Sequence, residues 1–277
     1  MTETGAHGPP IVIEAGAGGC GVEWTEVAEL LAPRHVVRID RPGLGASPYA
    51  PVPRDAEATA TTLHEVLAAA QIPAPYVLVG HSISGLSCRA FAYLFPADTA
   101  GMVLVDPFDE DTDNTALPRG FTALQQISLR TAQGLTQIGL GTLMVKALVA
   151  GARRALSRPD RPGIETRLHE IADAVTTPSS FRVQAEGAAA VPTSRVTLRK
   201  LVGRGGFPPV PLRVLTPDSP PVNRMDRLVR TQNLNTLHPR EAAASPHGSH
   251  HVIEHSSHLI HLDQPEVLAD HIAAVCR

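Results

Sequence analysis

Short apolar runs and helical patterns alternate along the first hundred residues. The apolar runs predict four buried strands, at Ile11 to Glu14, Val36 to Ile39, Tyr76 to Val79 and Met102 to Val105. Apolar positions at helical spacing predict three helices between them, at Trp24 to Leu31, Thr59 to Ala70 and Gly85 to Phe95. Strands that alternate with helices in this way indicate an α/β fold, in which helices cover both faces of a parallel sheet.

The alternation stops in the middle of the chain. Residues 108–209 contain no convincing strand pattern, and their apolar positions follow helical periods at Leu124 to Ala132, Ile138 to Leu156 and Ile164 to Val175. Strand patterns return at Leu212 to Leu215 and His251 to Glu254, and a last helix is predicted at Pro265 to Val275. We therefore predict one core, formed by residues 1–107 and 210–277, with a helical cap at 108–209. Only about nine residues precede the first predicted strand, which is too few for a β-hairpin ahead of it. We therefore expect a sheet of about six strands with no opening hairpin.

Composition and charge narrow the classes of partner. Of the 277 residues, 43% are hydrophobic and 18% charged, the formal net charge is -3, and no long basic run suggests nucleic-acid binding. The longest apolar stretch, Ile138 to Ala150, is too short to span a membrane and contains Lys146. The first ten residues lack the basic and apolar regions of a signal peptide, so we expect a cytoplasmic protein without membrane contact. No pattern indicates an oligomeric state.

The sharpest local motif is the segment from Val77 to Gly85, Val-Leu-Val-Gly-His-Ser-Ile-Ser-Gly. A buried strand enters a tight turn with Ser82 at its apex, and a helix follows at once. This geometry strains the backbone, lifts the serine hydroxyl above the sheet edge and directs the amino end of the helix at it. A serine hydroxyl is a weak nucleophile, so such a site also needs a base and a group that orients the base.

This motif resembles the G-x-S-x-G turn of the α/β-hydrolase superfamily, with Ser84 in place of the second glycine. Three further segments resemble family motifs in the same chain order. They are the oxyanion loop at Glu14 to Gly19, the turn after the next strand at Asp40 to Ser47, and the histidine loop with its final helix at Ser256 to Glu266. The match in order across most of the chain is a stronger indication than any single motif.

The resemblance implies roles for individual residues. Ser82 would be the nucleophile, and His258 would take its proton and later return it to the leaving group. The backbone N–H groups of Ile83 and Ala17 would form the oxyanion hole. Asp40 and Arg41 are expected to stabilise a turn rather than take part in the chemistry.

Two residues are candidates for the acid that orients His258. Asp106 follows the strand after the Ser82 helix, a position that some relatives use, haloalkane dehalogenases among them. Asp218 follows the penultimate strand, although the usual position there falls on Pro220. Neighbouring parallel strand ends lie roughly 5 Å apart, so either carboxylate could reach one imidazole. We favour Asp106 and keep Asp218 as the alternative.

Several motifs compete with this interpretation. Gly16 to Gly21 matches G-x-G-x-x-G after a strand, with Asp40 about twenty residues further on, as in dinucleotide-binding folds. That reading explains neither Ser82 nor His258. The histidines of the carboxyl third match no known ligand spacing, so we predict no metal site and no cofactor. The segment Asp109 to Asp113 imitates a calcium loop but lacks its glycine and its final glutamate, and we interpret it as a solvated hinge.

Together these features favour a serine hydrolase that cleaves a carboxylic ester, thioester or lactone through an acyl-enzyme. The apolar, leucine-rich cap suggests a small hydrophobic substrate. Two other classes stay open: a non-hydrolytic enzyme on the same scaffold, such as a cyclase, lyase or dehydratase, and a ligand receptor with little turnover.

Overall fold

The fold is known from a computed structural model, which describes residues 1–112, 121–220 and 224–276. These residues form a seven-stranded sheet in the order β1-β3-β2-β4-β5-β6-β7, parallel except for β1. The strands are β1 (Thr2–Thr4), β2 (His7–Glu14), β3 (Arg34–Ile39), β4 (Tyr76–His81), β5 (Thr99–Val105), β6 (Leu212–Pro217) and β7 (Gly248–Ile253).

Helices cover both faces of the sheet, which explains why its central strands are continuously apolar. Along β4, Leu78 packs into the core of one face, whereas Val77 and Val79 pack into that of the other. On the first face lie α2 (Ala56–Ala69) and α3 (Ser84–Leu94), which contact each other; on the second lie α1 (Thr25–Leu30) and α11 (Pro265–Val275). The predicted α/β fold is confirmed.

The strand count follows the prediction closely. The six predicted strands correspond to β2 to β7. The seventh, β1, has three exposed residues and pairs antiparallel with β3 rather than forming a hairpin with β2. Three exposed residues bury no apolar side chain, so β1 leaves no periodic pattern in the sequence.

The described residues between β5 and β6 form helices without a strand. They are α4 (Phe121–Gln137), α5 (Gly141–Ala155), α6 (Ile164–Val175) and α7 (Pro178–Arg204). The long α7 was not predicted, because Gly187 and Pro192 interrupt its helical pattern. Residues 113–120, near the start of the predicted cap, lie outside the described part of the chain, and the cap boundaries at 108 and 209 stay a prediction.

Between β6 and β7 the chain forms α8 (Arg224–Gln232), a π-helical turn and α9 (His238–Ala242), and α10 (Ile260–Asp263) follows β7. Among the helices in the described ranges, none combines the length and the apolar character needed to cross a bilayer.

Candidate active site

Ser82 occupies the turn between β4 and α3. Its backbone has a φ of +54°, in the left-handed region that non-glycine residues rarely adopt. Two hydrogen bonds hold this conformation: the Ser82 N–H donates to the carbonyl of Val105 (3.1 Å), and the Phe108 N–H donates to the carbonyl of Ser82 (2.9 Å). The strained turn is therefore hydrogen-bonded to the last residue of β5 and to the segment that follows it.

The residues around Ser82 are small because the turn is crowded. A Cβ on Gly80 would lie 2.7 Å from the Cys88 sulfur, and one on Gly85 would lie 2.6 Å from the Cβ of Pro107. Ser84, which departs from the family motif, is fully buried and its hydroxyl donates to the carbonyl of Ala15 at 2.5 Å. The serine therefore adds a hydrogen bond between the turn and the residue that follows β2.

His258 and Asp106 meet across 152 positions of sequence. The Nδ1 of His258 lies 2.6 Å from Oδ2 of Asp106, a hydrogen-bonding distance. Burial raises the pKa of the Asp106 carboxyl, but the hydrogen bond and charge of His258 outweigh burial and hold the pKa below its ordinary value. Asp106 is thus an ionised acceptor that can orient the His258 ring with Nε2 pointing away.

Asp218 serves a different purpose. Its Oδ1 accepts a hydrogen bond from the backbone N–H of Ser256 at 3.1 Å, and no contact joins it to His258 among the described residues. Asp218 therefore shapes the start of the loop that carries His258. The structure brings Asp106 to the imidazole and leaves the alternative acid outside.

Ser82 and His258 line the same small cleft, of about 140 Å³, together with Asp106. In the described part of the chain, no hydrogen bond links the Ser82 hydroxyl to the His258 imidazole. Such bonds are often long in unliganded sites and tighten when substrate binds. The two predicted residues are brought to one site, with the imidazole anchored by Asp106 on its far side.

In the described part of the chain, Ala17 and Ile83 do not line this small cleft. Both line a larger cavity, of about 860 Å³, to which Ser82 also contributes. The loop that carries Ala17 packs closely on the turn, since a Cβ on Gly16 would lie 2.8 Å from Nδ1 of His81. Arg41 holds this loop by donating to the carbonyls of Ala15 and Gly16. Ala17, Ile83 and Ser82 thus line one cavity, and the role of the two N–H groups as oxyanion donors stays a prediction.

Asp40 stabilises a turn, as predicted. Its carboxylate accepts hydrogen bonds from the backbone N–H groups of Gly21 (2.7 Å) and Ala46 (3.2 Å). The spacing that imitated a dinucleotide motif therefore reflects the packing of two loops.

Sequence reasoning missed a buried cluster of aromatic and imidazole rings behind His258. The Nε2 of His81 lies 3.0 Å from the carbonyl oxygen of His258, and the two rings are 4.6 Å apart. Burial and the neighbouring His258 and His261 keep the pKa of His81 well below its ordinary value, so the ring stays neutral and donates through Nε2. The only available signal was that His81 precedes Ser82, within the motif.

His261 completes this cluster. It is buried, stacks on Trp24 with ring centres 4.7 Å apart, and its two nitrogens make no hydrogen bond within the described residues. Burial lowers the pKa of His261 to about 3. Because His81 packs against His258 and is itself held by Trp24 and His261, the cluster restricts the positions that the His258 side chain can occupy.

The prediction of a solvated hinge at Asp109 to Asp111 is wrong. Asp109 and Glu110 are buried, and the Arg89 guanidinium lies 2.5 Å from a carboxylate oxygen of Glu110. Arg240 lies 2.7 Å from both Asp109 and Asp111. The three carboxylates are close enough to share a cation, but arginines already neutralise them. Asp113 and Asn114, also part of the supposed calcium loop, lie outside the described residues.

Comparison with known proteins agrees with the fold and the motifs. The pattern of the Alpha/beta hydrolase family matches residues 6–271. The pimeloyl-[acyl-carrier protein] methyl ester esterase of Chromobacterium violaceum is 40% identical over 107 residues, which are 38% of this chain and 39% of that protein. The chain thus matches well under half the length of this relative.

Two solved structures have the same fold. An esterase from Thermogutta terrifontis has a TM-score of 0.68 and 21% identity, over 99% of this chain and 90% of the esterase. The epoxide hydrolase CorEH has a TM-score of 0.67 and 18% identity, over 99% and 92%. The chain belongs to the alpha/beta hydrolase family.

Proposed function

We propose that the protein is a serine esterase that works through an acyl-enzyme at Ser82. The observation that carries the proposal is the 2.6 Å contact between His258 Nδ1 and Asp106, in a cleft that Ser82 also lines. With Nδ1 donating to Asp106, Nε2 of His258 is left as the proton acceptor for a hydroxyl. The resemblance to a methyl ester esterase supports ester cleavage in particular.

The steps follow from these positions. The Ser82 oxygen attacks the carbonyl carbon as its proton passes to His258 Nε2, and a tetrahedral intermediate forms. Its oxyanion accepts hydrogen bonds from the N–H groups of Ala17 and Ile83, and one such donor is typically worth about 3 kcal/mol. When the intermediate collapses, His258 returns the proton to the departing alcohol, and the acyl group stays on Ser82. Water, activated by the same imidazole, then releases the acid.

The larger cavity supports a substrate with an apolar part. Its wall includes apolar side chains from the sheet, from α2 and from α7, such as Leu63, Ile83, Leu86, Val183 and Val191. A small hydrophobic ester, thioester or lactone would bury its chain there, at roughly 0.8 kcal/mol for each methylene removed from water.

A fluorophosphonate probe tests the proposal, because it labels only a serine whose hydroxyl is activated. We expect labelling of the wild-type protein and none of Ser82→Ala. Ser87→Ala is the matched control, since Ser87 lines the same cavity but donates its proton to Glu14 at 2.6 Å. The Ser87→Ala protein should be labelled as strongly as the wild-type protein. A folded wild-type protein that resists labelling would instead favour a non-hydrolytic enzyme or a receptor on this scaffold.

A further inference from the structure

The two cavities beside Ser82 indicate where the alcohol and the acyl group of an ester would bind. This inference rests on the proposed function. His258 lines the small cleft and returns its proton to the departing alcohol, so the alcohol must lie in that cleft of about 140 Å³. The acyl group then extends past Ala17 and Ile83 into the cavity of about 860 Å³. The cavities thus fit a small alcohol and a long acyl chain.

The wall of the larger cavity carries more cationic than anionic side chains. Four arginines line it, against the carboxyl groups of Glu14 and Asp40. Three of the arginines have carboxylate partners in the described residues. The pairs are Arg41 with Glu14 (3.9 Å), Arg54 with Glu186 (3.3 Å) and Arg199 with Asp111 (2.7 Å).

Arg195, on α7, is the exception. Its Nε donates to the carbonyl of Glu110 at 2.6 Å and one terminal nitrogen donates to the carbonyl of Thr112 at 2.7 Å. Within the ranges that the structure describes, no carboxylate forms an ion pair with it. Two backbone carbonyls thus orient the half-buried guanidinium beside the cavity, and its charge has no carboxylate partner in the described residues.

The neighbouring ion cluster does not neutralise Arg195. The carboxylates of Asp109, Glu110 and Asp111 face three other arginines, namely Arg89, Arg199 and Arg240. Burial keeps the pKa of the remaining acid, Glu241, well above its ordinary value, and its carboxyl contacts Arg89 at 2.8 Å rather than Arg195. In the part of the chain that the structure describes, these carboxylates therefore pair with other arginines and none of them pairs with Arg195.

Arg195 also lies within reach of a chain attached to Ser82. The Phe108 N–H contacts the Ser82 carbonyl at 2.9 Å, and Glu110, which Arg195 contacts, is only two residues further along. Because each residue spans at most about 3.6 Å, the guanidinium lies within about 15 Å of the Ser82 backbone.

We propose that Arg195 binds an anionic group at the far end of the acyl chain, so that the substrate is an ester of a small alcohol with an acid carrying a second, free carboxylate. The apolar wall between Ser82 and Arg195 accommodates the methylenes, and the guanidinium supplies the counterion.

The test compares monomethyl suberate with dimethyl suberate, which has the same chain without the charge. Methanol release gives kcat/KM for each ester, counted per scissile bond. We expect the wild-type protein to favour the monomethyl ester by roughly tenfold or more. The ratio should fall by about that factor in Arg195→Gln and persist in Arg195→Lys, which keeps the charge. Comparing kcat/KM for the monomethyl esters of the diacids from succinate to sebacate would identify the preferred chain length.

Arg199→Gln is the matched control. Arg199 lies on the same helix, lines the same cavity and also binds the Glu110 carbonyl, but it has Asp111 as counterion. If loss of a tether to residues 110–112 were the cause, Arg199→Gln would lower the ratio as much as Arg195→Gln does. That result, or a wild-type ratio near one, overturns the inference and leaves the proposed function intact.

Failure of the proposed function is recognised separately. If the wild-type protein cleaved neither ester and also resisted the fluorophosphonate, the proposed serine esterase would be refuted, and binding alone would test the role of Arg195. Calorimetry should then show that the Ser82→Ala protein binds monomethyl suberate with a lower Kd than the dimethyl ester. This difference in Kd should be lost in Ser82→Ala/Arg195→Gln. Equal binding of both esters would exclude the anion site.

Discussion

Replacement of Asp106 by Asn is expected to abolish most activity while leaving the fold intact. Asp106 Oδ2 now accepts the proton of His258 Nδ1 at 2.6 Å. An Asn amide would donate to Nδ1 instead, and the imidazole proton would move to Nε2. With its proton on Nε2, the ring cannot accept the Ser82 proton.

The size of the loss follows from the same contact. In a serine–histidine–acid site, the wrong tautomer lowers kcat by about 10⁴-fold, equivalent to about 5.5 kcal/mol of transition-state free energy. The Asp106 side chain is only 12% exposed, so water has little room to replace the carboxylate. The backbone should tolerate the change, because Asp106 has a φ of +41° and Asn is among the residues that accept such values.

The assay measures kcat for a short methyl ester alongside thermal unfolding. Asp218→Asn is the matched control, since within the described residues the Asp218 carboxylate accepts a hydrogen bond from a backbone N–H of the histidine loop and does not contact His258. It should lose about 1 kcal/mol of stability and little activity. Comparable losses of kcat in the two variants, or a large loss in Asp218→Asn alone, would refute the assignment of Asp106 as the acid.

Three further changes test other parts of the structure. Arg89→Ala should lower the free energy of unfolding by about 3–5 kcal/mol, because it leaves buried carboxylates without a counterion. Urea titration measures this loss, and the control Arg153→Ala, which breaks an exposed ion pair, should lose less than about 1 kcal/mol. Since burial lowers the pKa of His261 to about 3, the unfolded chain binds a proton that the folded chain excludes. Stability relative to His261→Phe should thus fall by about 1.4 kcal/mol per pH unit below pH ~6.5, and parallel pH profiles would contradict this. Arg41→Ala should lower kcat about tenfold by releasing the Ala17 loop, with KM little changed; a change confined to KM would argue against this role.

Much of the fold could be predicted from local sequence patterns. Strands such as β4 and β5 are buried on both faces, and burial of both faces requires an unbroken apolar run that is visible without coordinates. The turn at Ser82 was also visible, because its crowding demands small residues at fixed positions on either side. By contrast, α7 was missed since its Gly and Pro weaken the pattern, although packing on α2, α3 and α4 stabilises the helix.

Charged side chains were harder to place. The acidic run at Asp109 reads as solvated because three consecutive acids normally lie at a surface. Arginines from α3 and α9 instead bury it in ion pairs, as the 2.5 Å contact between Arg89 and Glu110 illustrates. Their positions in the sequence reveal no such pairing, because the partners are separated by as many as 131 residues.

The sequence by itself determined the α/β order of elements, the strained turn at Ser82 and the loop that carries His258, since each depends on interactions among near neighbours. Only the tertiary structure decided that Asp106 rather than Asp218 contacts the imidazole and that His81 packs behind it. It also decided that Arg195 borders a cavity without a carboxylate partner in the described ranges. These outcomes depend on where distant loops meet over the sheet, and distances between such loops are set by packing rather than by local sequence.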